Sequence, residues 1–161
     1  MADDELVVIG KNARIESKIL DEARTLVIAE PQNYRTEPDE KFPVLYLLDG
    51  PGNFHHTTGA VNFLAQNGRI PHMIVIGVGN TDRARDLTPP TLDLDEKKEL
   101  PTAGGADTFL NFTADELIPW VDKNYRTRSY RLLTGHSFGG LLALHSLITR
   151  PDLFNSYLAI S

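Results

Sequence analysis

Leu132–Leu147 reads LLTGHSFGGLLALHSL. An apolar run enters Gly135-His136-Ser137-Phe138-Gly139, and a leucine-rich stretch with helical spacing leaves it. Strand, tight turn and helix are what a G-x-S-x-G pattern needs if its serine is to stand exposed at the tip of the turn. At 12 glycines in 161 residues, a chance match is expected only about 0.03 times. A serine in so sharp a turn is strained, and neighbours without Cβ let strand and helix pass closely. Helix N-termini carry N–H groups without intrahelical partners, and their dipole favours negative charge. Ser137 is therefore a candidate nucleophile, and the Phe138 N–H a candidate donor to an oxyanion. The bland alternative is a glycine-rich strand–helix turn whose serine is incidental.

Working outward, the first part of the chain predicts strands over 5–10, 13–20 and 24–31, short and partly alternating as in an antiparallel edge. PVLYLLDG (43–50) and MIVIGVG (73–79) are near-continuous apolar runs ended by glycine, the pattern of strands covered on both faces. A helix is expected over 54–68, and a long proline-containing loop over 80–105 of the kind that is often functional. A second helix is expected over 106–124, with Pro119 kinking it or opening another. Strands over 130–136 and 156–161 flank a helix over 137–150. This order predicts a three-layer α/β sandwich, with helices on both faces of one sheet, within a single domain over 1–161. Its sheet is mostly parallel with antiparallel N-terminal strands. Ligands on such sheets sit beyond the carboxyl ends of the strands, where Ser137, Gly50 and Asn80 fall.

The second oxyanion donor is expected in DGPGNF (49–54), after the YLLDG strand. Pro51 has no N–H, leaving Gly50 or Gly52; an ordinary strand-closing turn is the alternative.

VLYLLDGPGNFHH, DRARDLTP and LLTGHSFGGLLALHSL, in that order, resemble the α/β-hydrolase group that contains enterochelin esterases, esterase D and bacterial mycolyltransferases. The resemblance runs from about residue 15 to the last residue. It implies an ester-cleaving serine hydrolase with Ser137 as nucleophile, Phe138 in the oxyanion hole, and Arg83, Arg85 and Asp86 shaping the rim. A siderophore trilactone esterase is the alternative within enzymes, since Arg83 and Arg85 favour an anionic substrate. A catalytically silent fragment or binding module is the alternative outside them.

The order Ser, then Asp or Glu, then His expected of such a triad is not met. After Ser137 the carboxylate is Asp152 and the histidine His145, in the wrong order. His145 also lies eight residues along the helix, roughly 12 Å away at ~1.5 Å per residue. It is expected to be a packed helix residue, and Asp152 a turn or cap residue. His55 and His56 follow the oxyanion loop, but neighbours on a helix point about 100° apart, so at most one faces Ser137. His136 and His55 are expected to line the pocket with Arg83 and Arg85. The chain thus reads as the N-terminal part of a larger hydrolase, with its C-terminal part missing and a terminal strand exposed that could pair copies into a homo-oligomer.

Composition argues against nucleic acid and membrane as partners, leaving the small-molecule ester that the resemblance implies. The 41% hydrophobic and 24% charged content is that of a globular protein, and net charge −6 lacks the basic footprint of a nucleic-acid or membrane binder. The chain has no cysteine, no metal-ligand spacing and no apolar run of the ~20 residues a span needs. No cofactor is expected. The acidic start MADDELVVIG is unlike a secretory signal, so a cytoplasmic location is the default, or a periplasmic one if a signal was removed.

Overall fold

The run of six buried residues in Phe42–Leu47 and of five in Ile74–Val78 places both strands inside a sheet covered on two faces. The structure is a computed structural model describing residues 5–161; residues 1–4, the head of the acidic start, lie outside the described residues. Its sheet contains β1 (Lys11–Ser17), β2 (Glu22–Ala29), β3 (Phe42–Leu47), β4 (Ile74–Val78), β5 (Thr127–His136) and β6 (Ser156–Ile160), in the order β1-β2-β4-β3-β5-β6. β1–β2 and β2–β4 pair antiparallel, and β4–β3, β3–β5 and β5–β6 pair parallel. The mixed sheet with antiparallel N-terminal strands is the expected one.

Side chains alternate across the sheet. Val44, Tyr46 and Leu48 enter one apolar core, and Leu45 and Leu47 enter another. The second core is closed by Phe54 and Val61 of α1 (Gly50–Gln66). The first is closed by Phe109 and Phe112 of α4 (Ala106–Phe112), Val121 of α5 (Ile118–Asn124) and Leu142 of α6 (Phe138–Thr149). Helices therefore lie on both faces, giving three layers. The connection after β4 carries α2 (Arg83–Leu87) and α3 (Leu94–Glu99).

Several expectations are corrected in detail. Residues 5–10 form no strand, because β1 begins at the pair Lys11↔Ile28 and β2 ends at Ala29, leaving nothing to pair with the preceding chain. The helix expected over 54–68 begins at Gly50, so the glycine-rich 49–54 stretch is its first turn and not a loop. Pro51, with fixed φ and no N–H to lose, suits that turn. The helix expected over 106–124 is interrupted by a π-helical turn at Thr113–Leu117, and Pro119 opens α5. Among the described residues no helix is long and apolar enough to cross a membrane.

β6 stands at one end of this sheet, with Leu158 and Ile160 exposed. Leu141, Leu144, Leu147 and Ile148 of α6 are exposed as well.

Candidate active site

β5 ends at His136 and α6 starts at Phe138, so one residue makes the whole turn. Ser137 occupies it with φ 58° and ψ −119°, a conformation that L-residues rarely adopt. The turn closes because Gly135 lacks a side chain: a Cβ there would lie 2.5 Å from the Gly139 carbonyl carbon. Ser137 is exposed to solvent, Phe138 is half-buried and His136 is exposed.

β3 is the parallel neighbour of β5 (Leu47↔Thr134), so the helix that follows β3 starts beside the helix that follows β5. The approach is close. A Cβ on Gly139 would be 3.3 Å from Leu48 Cβ and 3.5 Å from Asp49 Oδ2. Two helix N-termini thus converge at the carboxyl edge of the sheet, with Gly50 first in α1 and Phe138 first in α6. N–H groups at such positions have no intrahelical acceptor. The two candidate glycines differ here. Gly50 is buried, whereas Gly52 is exposed and its N–H donates to the Asp49 carbonyl at 3.1 Å, closing the first turn.

Asp49 links the strands. It sits between β3 and α1 in the left-handed region (φ 53°, ψ 38°). Its carboxylate accepts from Asn80 Nδ2 at 2.6 Å and from Arg83 Nε and Nη2 at 2.8 and 3.0 Å. Arg83 Nη2 also donates to the His136 carbonyl at 3.4 Å, and its guanidinium carbon stands 5.0 Å from the centroid of the Phe138 ring. Asn80 therefore falls at the strand ends, as expected.

The loop carrying Arg83 is anchored from below. Arg24 is fully buried, and Arg24 Nη1 meets Asp86 Oδ2 at 2.5 Å while its other arm meets Glu22. Arg85 spans Glu22 (2.5 Å) and Asp86 (2.9 Å) with its side chain 37% exposed, and Asp86 is buried where a rim position was expected. Burial opposes ionisation of Glu22, but hydrogen bonds from Thr81 and Arg85 and the charges of Arg24 and Arg85 outweigh it and hold its pKa below the usual value. Asp82 caps α2 by accepting from the Arg85 N–H at 3.0 Å, and this bond holds its pKa low too.

The histidines are dispersed. His55 and His56 are exposed on α1. His145 Nε2 lies 2.7 Å from Asp107 Oδ1, joining α6 to α4, and Asp152 is exposed in a turn. A hollow of about 430 Å³ lies at the β1–β2 edge beside Gly10, Lys11, Ile28 and Glu30. Another of about 370 Å³ lies at the amino ends of the strands beside Pro43, Met73, Tyr130 and Leu132. Neither touches Ser137.

Residues 17–161 match the model of the family described as Putative esterase. The chain belongs to that family. This esterase-family chain is 35% identical over 139 residues to the ferri-bacillibactin esterase BesA of Bacillus subtilis, an alignment covering 76% of the chain and 48% of that protein. It is 35% identical over 137 residues to the siderophore triacetylfusarinine C esterase of Aspergillus fumigatus, covering 74% and 43%. Among solved structures it resembles an IroE-like serine hydrolase from Shewanella oneidensis, with TM-score 0.86 and 41% identity over 93% of this chain and 49% of that one. The esterase-family chain thus spans about half the length of the curated relatives it matches.

Two residues of this site were not singled out from the sequence. Arg24 alternates with Leu26 and Ile28 on one face of β2, a period-two signal that marks a buried arginine. Asp49 stands inside the YLLDG motif, but nothing in its spacing names Arg83 as its partner.

Proposed function

We propose that the protein is a serine hydrolase of carboxylic esters, acting through an acyl-enzyme on Ser137. Ser137 Oγ attacks the ester carbonyl carbon while its proton passes to a base. The resulting oxyanion is held by the Phe138 N–H and the Gly50 N–H, at the two helix N-termini. Collapse breaks the bond to the alcohol, which takes the proton back from the base, and water then frees the acid from Ser137. The observation that carries this reading is the strained, exposed Ser137 between β5 and α6 in a member of an esterase family.

His145 is engaged with Asp107 two turns along α6, which counts against it as the base. Arg83 stands beside the elbow, and Gly50 is favoured over Gly52 because the latter's N–H is already bonded.

The experiment is turnover of a short-chain p-nitrophenyl ester by the native gene product, beside Ser137→Ala and a fluorophosphonate label. Turnover lost in Ser137→Ala together with label on Ser137 is the expected result. Label without turnover supports a catalytically silent fragment, and full activity in Ser137→Ala rejects the nucleophile.

A siderophore ester as substrate is the second reading, favoured by the names of the 35% identical relatives. A catechol-bearing serine trilactone hydrolysed at far higher kcat/KM than the simple ester supports it; equal rates count against it.

A further inference from the structure

We infer that Arg83 is a positioning residue whose task is to cancel the charge of Asp49 beside the oxyanion hole and to hold the two donor helices together. This rests on the serine-esterase reading above and adds a role to it. Asp49 immediately precedes Gly50, and its Oδ2 is 3.5 Å from where a Cβ on Gly139 would stand. Its carboxylate is thus lodged between the two helix N-termini that are to receive the developing negative oxygen. Left alone, that fixed negative charge would oppose the oxyanion, because like charges a few ångströms apart in a partly dry site repel strongly.

The fork of Arg83 removes this conflict. Two parallel bonds of 2.8 and 3.0 Å neutralise Asp49 on the α1 side. The same guanidinium reaches the His136 carbonyl and the Phe138 ring on the α6 side. One cation therefore spans both donors, and its loop is pinned by the buried Arg24–Asp86 pair. The fork uses Nε and Nη2 and leaves Nη1 outside the pair with Asp49.

The charge argument gives an order of effects that a loss of packing would not. On a neutral p-nitrophenyl ester, Arg83→Gln in the native gene product is expected to lower kcat about 30-fold with KM within about threefold, a loss somewhat below that of a deleted oxyanion donor. Asp49→Asn is expected to lower kcat less than tenfold. The double variant is expected to be faster than Arg83→Gln alone, because the uncompensated carboxylate is gone. Arg83→Lys, which keeps the charge, is expected to restore most of kcat even if Arg83→Gln fails to fold.

A double variant as slow as the product of the singles overturns the proposal. So does an Arg83→Gln that keeps kcat and raises KM only for an anionic ester. The labelling rate of Ser137 by fluorophosphonate, read by intact mass, is expected to follow the same order when turnover is weak. Activity surviving in Ser137→Ala, or a wild type that neither turns over nor labels, rejects the underlying esterase reading and the clamp with it.

Discussion

The Ser137 N–H donates to the carbonyl of Ile160 at 2.8 Å, so the turn that carries the candidate nucleophile is tied to the end of the last strand. β6 pairs parallel with β5 through to His136↔Ile160, and this bond continues the ladder by one residue into the turn. The strain at Ser137 is held from the side of the sheet as well as from its own helix.

This tie leaves no room at Gly140. A Cβ there would lie 2.7 Å from the Ile160 oxygen, which is backbone and cannot swing aside. Gly140→Val is expected to destabilise the chain by about 1–3 kcal/mol in urea unfolding and to slow fluorophosphonate labelling of Ser137. An unchanged urea midpoint would show that β6 can move away freely.

The φ of 58° at Ser137 sets stability against function. Ser137→Gly relieves the backbone, whereas Ser137→Ala removes the hydroxyl and keeps the strain. The glycine variant is expected to be more stable than the alanine variant by about 1 kcal/mol, with both unreactive toward the label. Matching melting curves would argue that the turn is relaxed.

Arg24 and Asp86 are both fully buried, and breaking such a pair from one side strands a charge. Asp86→Ala is expected to cost about 3 kcal/mol, the low end of the range for buried pairs, since Glu22 still faces Arg24. Arg24→Met with Asp86→Leu is expected to recover much of it. Chemical denaturation of the two variants decides this, and a double variant worse than Asp86→Ala contradicts it.

The lowered pKa values of Glu22 and Asp82 fix a sign for acid sensitivity. Each carboxylate is more acidic folded than unfolded, so its contribution is intact above the ordinary carboxylate range near pH 4 and is lost as pH falls through the depressed folded value. Urea midpoints are expected to drop between about pH 4 and pH 2, and the drop should be shallower in Glu22→Gln and Asp82→Asn. A wild-type midpoint flat across that window refutes the assignment.

What could be foreseen follows physical range. The elbow is a local event, because Gly135, Ser137 and Gly139 determine within five residues whether strand can pass to helix. The parallel centre is equally plain, since Val44 to Leu48 feed two cores in alternation and so announce two covered faces. Propensity misled at the edges. Residues 5–10 are as apolar as a strand, yet β2 ends before it could pair with them, and the DGPGNF stretch that reads as a loop is the first turn of α1.

Sequence alone determined that this chain is an α/β sheet with a serine poised at the carboxyl edge, since both depend on side-chain period and on sterics between near neighbours. Only the tertiary structure decided which charges meet. Asp49 finds Arg83 because β3 lies against β4, whose trailing loop brings the arginine back over the strand ends. Arg24 finds Asp86 because β2 lies on the other side of β4. Strand order is set by how the whole sheet buries its two faces, and no local spacing of charges encodes it.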